Sequence, residues 1–145
     1  MSVRIDGDRE LARKLNALPV KVRGKALEDA AKAGGIIFRD AVRENSPIRT
    51  GRLQDDIDYR VTKRTGDDIR LGVSWRTGRA SRTPAFYGLF FHKGKNPRAR
   101  KSGASTGSMP RYRFLDKAYD ESRDEAERAV GAVLKRAIEQ VAANG

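Results

Sequence analysis

The start of the chain changes from a strand-like to a helical pattern of hydrophobic and polar residues. Residues 3–5 (Val-Arg-Ile) alternate and are followed by Asp6-Gly7, which is typical of a short strand that ends in a turn. After Asp8 the spacing becomes helical, and leucines recur at i, i+4 and i+7: Leu11, Leu15 and Leu18. We therefore predict a helix that Asp8 caps and Pro19 ends.

A longer helix is predicted from about Val20 to Asn45, because an apolar stripe runs through that range before Ser46-Pro47 stops it. The stripe consists of Leu27, Ala30, Ala31, Gly34, Ile37, Phe38 and Ala41. The Gly34-Gly35 pair lies in the middle of this helix, where each glycine costs about 1 kcal/mol relative to alanine. Either the helix kinks there or another backbone packs very close, and we favour close packing.

Alternation returns in the middle of the chain. Apolar residues occupy every second position over 57–61 and again over 69–75, on either side of a polar turn. This pattern predicts an antiparallel hairpin with one buried face. Residues 86–91 are apolar and aromatic, and so short a run fits a third strand or a short helix equally well.

A loop and then a helix complete the chain. Residues 94–110 are rich in glycine, serine and basic residues and show no apolar pattern, so we predict a long, mobile, basic loop. A helical stripe then continues from about Phe114 to Ala142. The order of helices, a small antiparallel sheet and a long C-terminal helix predicts one α+β domain over residues 1–145.

Composition excludes several classes of protein. The 145 residues contain no cysteine and a single histidine, which excludes disulfides, thiolate zinc sites, cysteine nucleophiles and multi-histidine metal centres. No apolar run approaches the ~20 residues needed to cross a bilayer, and the first residues have no apolar signal core. We therefore expect a soluble protein that is made and kept in a cytosol.

Charge is distributed very unevenly. The chain carries a net charge of +12, and residues 69–115 hold eleven basic residues and no acidic one, whereas the remainder holds 20 basic and 19 acidic residues. A solvated loop with a chance bias is one interpretation of this basic segment. The other is a surface that faces a polyanion or an acidic protein partner. The predicted contact residues are Arg79, Arg82, Lys93, Lys95, Arg98, Arg100, Lys101, Arg111 and Arg113.

The sequence contains no recognisable catalytic, cofactor or metal motif. A G-x-S-x-G motif is absent, and the glycine- and serine-rich stretch at 103–108 lacks the lysine of a phosphate loop. Three acids near residue 56 (Asp55, Asp56 and Asp58) are interpreted as solvated turn residues. His92 has no acidic residue nearby in sequence, so we assign it a structural or interface role. We predict that the protein is not an enzyme and holds no cofactor.

Several short sequence motifs, taken in order along the chain, resemble those of one protein family. A long helix leads to Pro-Ile-Arg-Thr-Gly-Arg-Leu at 47–53, then to Tyr-Gly-Leu-Phe-Phe-His-Lys-Gly at 87–94 and Pro-Arg-Tyr-Arg-Phe-Leu at 110–115. This arrangement resembles the tail-completion, or head–tail joining, family of long-tailed bacteriophages, which includes minor tail protein Z-like proteins. The residues that carry the resemblance are Pro47, Thr50, Gly51, Leu53, Tyr87, Gly94, Phe114 and Leu115.

The resemblance implies a non-enzymatic virion protein, synthesised in the bacterial cytoplasm, that acts at the head–tail junction. It implies a homo-oligomeric ring, with six subunits by family analogy, that contacts neighbouring neck and tail-tube proteins while DNA passes through its lumen. Ring contacts join different patches on successive subunits. We hypothesise that the basic residues of 93–113 meet an acidic set on the next subunit or, alternatively, line the channel and contact DNA. The acidic set is Asp116, Asp120, Glu121 and Asp124.

Three other functions stay open at this point. The first is another neck component, either a tail terminator or a head-closure protein, of similar size and ring architecture. The second is a free-standing nucleic-acid-binding protein that places Arg98, Arg100 and Lys101 on phosphates and binds duplexes in a salt-dependent manner. The third, a basic ribonuclease toxin, is the weakest, because the sequence offers no acid–base pair.

Overall fold

In the computed structural model, the described residues are 9–47, 51–65, 68–75, 88–94, 96–105, 107–108 and 110–144, without the side chains of residues 89–91. Five helices and two strands occur among them: α1 (Arg9–Asn16), α2 (Val20–Asn45), α3 (Arg52–Asp56), β1 (Ile57–Arg64), β2 (Ile69–Trp75), α4 (Gly88–Lys93) and α5 (Phe114–Asn144). The predicted α+β class is confirmed. The strand predicted at residues 3–5 and its turn, and the Asp8 cap, lie outside the described residues.

The two long helices, α2 and α5, form the spine of the molecule. Their buried residues recur mostly at every fourth position, as in the i±4 ridges through which helices interdigitate. On α2 these residues include Ala26, Ala30, Gly34 and Val42, and on α5 they are Phe114, Ala118, Ser122, Ala126 and Leu134. Most of these side chains are small, so the two backbones approach closely.

The glycine pair of α2 is explained by this close packing. A Cβ added to Gly34 would lie 2.9 Å from Cγ2 of Val130 on α5, and one added to Gly35 would lie 2.7 Å from Cδ1 of Leu71 on β2. Tyr59 of β1 is also 3.3 Å from that second position. The glycines are therefore explained by close packing and not by a kink, although the nearest atoms belong to side chains and not, as predicted, to another backbone; α2 runs as one helix from Val20 to Asn45.

Hydrophobic side chains gather in two clusters along the spine. The first has Val42, Leu53, Ile57, Phe114 and Ala118 at its centre, with Trp75 and Val73 packed against it. The second contains Ala26, Ala30 and Leu134, which α1 covers with Leu11 and Leu15. The first cluster thus joins α2, α3, the hairpin and the start of α5, while the second joins α1 to the opposite end of the helix pair.

The predicted hairpin is present, and its register pairs Ile57 with Trp75 and Tyr59 with Val73. A bulge interrupts the pairing between Val61 and Lys63. The prediction of one buried face holds only at the end near α3, because Ile57 is fully buried whereas Val61 is 41% exposed. The far end of the hairpin extends beyond the core.

Polar contacts fasten the hairpin to α2 at both ends. At one end, the guanidinium of Arg43 donates to the carbonyl oxygen of Ile57 from Nη2 at 2.8 Å and from Nε at 3.1 Å. Near the tip, Arg64 forms an ion pair with Glu28. The hydrogen bond from Lys32 and the charge of Arg64 lower the pKa of Glu28 below its ordinary value.

Two short helices complete the core. Helix α3 was not predicted, because five residues are too few to show a helical period; it places Leu53, 2% exposed, in the first cluster. Helix α4 resolves the choice between strand and helix in favour of a helix. It begins at Gly88, where an added Cβ would lie 2.8 Å from Cδ1 of Leu53 and 2.9 Å from Cε2 of Trp75. No helix in the described ranges is both long and apolar enough to span a membrane.

Candidate assembly interface

The residues that carry the family resemblance have structural roles. Gly51 adopts a left-handed φ of +75° and directly precedes α3, which directs Leu53 into the core. Pro47 follows the extended Ser46 that closes α2. Phe114, with 1% exposure, starts α5 in the first cluster; Leu115 packs against that cluster, and Gly94 follows α4. Thr50 and Tyr87 lie outside the described residues.

The basic loop contains a compact turn. The N–H of Arg100 donates to the carbonyl of Ala104 at 2.8 Å, and the N–H of Gly103 donates to the carbonyl of Arg100 at 2.8 Å. An isolated bridge between Ala99 and Ser105 closes the same turn. We call residues 99–105 the basic turn, because Arg100 and Lys101 lie at its exposed tip. The overall mobility of the loop stays a prediction.

The other predicted basic residues are distributed around this turn. Lys93 is exposed at the end of α4, Arg98 is exposed just before the turn, and Arg111 and Arg113 are exposed just before α5. Arg79, Arg82 and Lys95 lie outside the described residues. The structure therefore describes two of the predicted basic residues in the turn and four on the chain segments that precede and follow it in sequence.

One predicted pair of opposite charges is formed within the chain. Nε of Arg113 donates to Oδ2 of Asp116 at 2.8 Å, across the start of α5. This hydrogen bond is the main reason why the pKa of Asp116 lies below its ordinary value, and the charges of Arg113, His92 and Arg111 lower it further. The i, i+3 spacing of the pair in the sequence is the signal that could have identified it.

We expect the substitution Arg113→Ala to raise the pKa of Asp116 toward the ordinary value of an aspartate, because the hydrogen bond that lowers it is lost. Because the pKa of Asp116 is lower in the folded chain than in the unfolded chain, its ionised form stabilises the fold at a pH above the unfolded pKa. That stabilisation is lost as the pH falls through the folded pKa. Carboxyl NMR titration measures the shift directly. Arg111→Ala is the matched control and should give a smaller shift; an equal or larger shift would contradict the assignment of Arg113 as the main partner.

Four acidic residues of α5 form the predicted subunit contact. Asp116, Asp120 and Asp124 recur at i, i+4 and i+8, on the side of the helix away from the buried Ala118, Ser122 and Ala126. Oε2 of Glu121 accepts a hydrogen bond from Nδ2 of Asn45 at 2.7 Å, so α2 holds this residue. Within the described part of the chain, the exposed residues Asp120 and Asp124 form no ion pair; we call these two the acidic stripe.

His92 lies on the core side of the same region. Its ring packs edge-on against Phe114, with centroids 5.6 Å apart, and it is half-buried. Nδ1 is buried and has no hydrogen-bond partner among the described residues. This environment favours the structural role that the sequence indicated over an acid–base role.

The described residues offer little for small-molecule chemistry. No group of three His, Cys, Asp or Glu side chains in these ranges comes close enough to hold a metal ion. Asp56 departs from its interpretation as a solvated turn acid, because its Oδ2 is buried and has no hydrogen-bond partner among the described residues. Asp58 accepts from the N–H of Tyr59 at 2.9 Å, and Asp55 is exposed.

A family model described as "Bacteriophage HK97-gp10, putative tail-component" matches residues 9–90, more than half of the chain. The chain belongs to this family. The resemblance to a phage tail family is thereby confirmed, and it gives this HK97-gp10-like chain a structural role in the tail or neck of a virion, among other virion proteins. No curated protein and no solved structure matches the chain.

The matched range of this HK97-gp10-like chain ends before the basic turn and the acidic stripe begin. It includes α1, α2, α3, the hairpin and the first residues of α4. The basic turn and the whole of α5 follow it. The family match therefore covers α1, α2, α3, the hairpin and the start of α4, but not the basic turn or the acidic stripe.

Proposed function

We propose that the protein is a non-enzymatic component of the phage neck or upper tail that completes the tail and joins it to the DNA-filled head. Family membership is the observation that carries this proposal. The chain acts as one subunit of a homo-oligomeric ring, which the family resemblance gives as a hexamer. DNA passes through the lumen of that ring, and the outer faces meet neighbouring neck and tail-tube proteins.

The architecture of the subunit supports ring assembly. The closely packed α2–α5 spine provides a stiff body, so the surfaces that it carries keep fixed positions relative to one another. Two oppositely charged surfaces, the basic turn and the acidic stripe, lie on the same chain. A contact between different patches on successive subunits closes into a ring when the rotation between them is right.

A second function, free nucleic-acid binding, is favoured by the tip of the basic turn. Arg100 and Lys101 are exposed and form no ion pair within the described ranges. If Arg100 and Lys101 bind phosphates outside a virion, the purified chain should bind duplex DNA with an affinity that falls steeply as the salt concentration rises. Inside a virion, the same residues would give sequence-independent contacts with DNA in the lumen.

Antibody labelling of particles tests the proposal. Gold-labelled antibody against this chain should bind intact virions, or particles from an induced lysogen, at the head–tail junction alone. Antibody absorbed beforehand with the purified chain is the control and should leave the particles unlabelled. A label elsewhere on the tail would favour another tail component, and absence of the chain from purified infectious particles would favour the free nucleic-acid-binding function.

Loss of the gene gives an independent readout of the same role. A phage that lacks the chain should accumulate DNA-filled heads and separate tails, because each part assembles but the joint between them does not form. Expression of the wild-type chain in the host should restore joined, infectious particles. Joined particles in the absence of the chain would contradict the joining role.

A further inference from the structure

Contacts within the chain divide the predicted interface residues into two groups. Arg113 and Asp116 satisfy each other at 2.8 Å, and Glu121 is held by Asn45 at 2.7 Å. Charges already engaged in this way have less to gain from a partner, because a new contact must first break the existing one. Among the other predicted charges, Arg100 and Lys101 of the basic turn and Asp120 and Asp124 of the acidic stripe are exposed and form no ion pair within the described residues.

The acidic stripe presents its two carboxylates together. Asp120 and Asp124 are one helical turn apart, a spacing that puts their Cβ atoms about 5–6 Å from each other. Of the neighbouring cations, Arg123 pairs with Glu127 at 3.0 Å, and Nε of Arg128 donates to the backbone carbonyl of Asp124, not to its carboxylate, at 3.2 Å. Neither cation forms an ion pair with the carboxylates of Asp120 and Asp124, and both acidic residues are exposed.

The basic turn is matched to that stripe in charge and number. Its backbone bonds, both 2.8 Å long, close a narrow loop with Lys101 at the tip and Arg100 directly before it, and both residues are exposed. A guanidinium and an ammonium on adjacent residues can each reach one of two carboxylates that are one helical turn apart. Arginine also binds a carboxylate through two parallel hydrogen bonds.

We infer that the basic turn of one subunit docks on the acidic stripe of a second copy of this chain. This inference rests on the proposed ring, and it assigns Arg100 and Lys101 to one side of the contact and Asp120 and Asp124 to the other. A second copy is favoured over DNA because it is complementary in charge to both surfaces, whereas DNA is complementary to the turn alone. A second copy satisfies both surfaces at every joint of the ring.

Disulfide trapping tests the contact directly, because the chain contains no cysteine. Ser102→Cys places a thiol in the turn, and Arg128→Cys places one on α5, one helical turn beyond Asp124. Ser102→Cys removes no charge, and Arg128→Cys removes one cation beside Asp124 but none of the four charges assigned to the contact. When the two variants are mixed at high concentration under mild oxidation, we expect a covalent heterodimer whose yield falls as salt screens the charges.

The control pairs Ser102→Cys with Gln140→Cys, an exposed position on α5 about 18 Å beyond residue 128 at 1.5 Å per residue. A severalfold higher yield for position 128 than for position 140 supports the docking, and equal yields overturn it. Both cysteines in one chain, carried into particles, should give a covalent ladder whose largest band reports the number of subunits.

Charge exchange gives the second test. Arg100→Glu with Lys101→Glu makes the turn acidic, and Asp120→Lys with Asp124→Lys makes the stripe basic. When each variant also carries Ser102→Cys and Arg128→Cys, neither variant alone should form disulfide-linked oligomers. A mixture of the two variants should form these oligomers again. At one joint the acidic turn of the first variant meets the basic stripe of the second, and at the next joint the native turn of the second variant meets the native stripe of the first.

The mixed ring must alternate between the two variants, so it closes only for an even number of subunits, such as six. If DNA were the partner of the turn, the acidic turn would lose duplex binding and mixing would restore no trapping; that result would overturn the inference. The assignment of the protein to the phage neck is tested separately, by antibody labelling of particles. Far-ultraviolet circular dichroism should show that both variants keep their helices, since all four residues are exposed.

Discussion

Replacement of Phe114 by alanine is expected to lower the free energy of unfolding by about 3–5 kcal/mol. The side chain is 1% exposed and fills the centre of the first cluster, with the Trp75 ring at 5.7 Å and the His92 ring at 5.6 Å. Its removal leaves a cavity where α2, α3, β2 and α5 converge. Because small domains are stable by only about 5–15 kcal/mol, the loss would consume a large part of the total.

Tyr112→Ala is the matched control for this prediction. It also removes an aromatic ring, two residues earlier in the chain, but that ring is 45% exposed. We expect it to lower the free energy of unfolding by less than Phe114→Ala does, because a ring that is 45% exposed buries less apolar surface. Denaturant unfolding followed by circular dichroism measures both values, and comparable losses would contradict the central position of Phe114 in the core.

The spine of this fold could be predicted from the sequence because its signals are local. Helix α2 has the predicted bounds, since an apolar stripe and a Ser46-Pro47 stop both lie within the segment itself. Helix α5 begins at the predicted Phe114 and ends two residues later than expected. The alternation that defines β1 and β2 is equally local.

The short helices were harder to predict for a physical reason. Helix α3 contains five residues and α4 contains six, so neither completes two turns. Their geometry is decided by contacts across the fold, such as Leu53 in the core and Gly88 against Trp75. A pattern confined to the segment cannot reveal contacts of that kind.

The candidate interface was predictable only in outline. The absence of acidic residues from 69 to 115 identifies a basic segment without any structure. Which of its charges are already engaged depends on tertiary contacts, and the bond between Asn45 and Glu121 joins residues 76 positions apart. Only the structure therefore shows that Arg113, Asp116 and Glu121 are already engaged within the chain.

Substitution of Gly34 by valine should destabilise the protein by about 1–3 kcal/mol, the usual cost of overpacking a core. Even its Cβ would lie 2.9 Å from Cγ2 of Val130, and the two methyl groups need still more space. Val130 is β-branched and has few alternative rotamers in a helix, so it cannot easily move aside. The helices would have to separate, which weakens the packing along the whole spine.

Gly24→Ala is the control for this glycine, because it lies in the same helix with nothing within 4 Å of an added Cβ. Without a clash, the better helix propensity of alanine should raise the free energy of unfolding by about 1 kcal/mol. The two substitutions thus have opposite expected signs, although each adds carbon to a glycine of α2. Denaturant unfolding of the two variants measures both changes.

A double substitution tests whether the contact with α5 is the cause of the loss at Gly34. Val130→Ala removes the methyl groups that the new side chain would meet, so the combined variant should recover part of the stability that Gly34→Val loses. Residues in contact commonly show such non-additive energies of about 0.5–3 kcal/mol. Strictly additive losses would contradict the conclusion that close approach of α2 to α5 requires a glycine at this position.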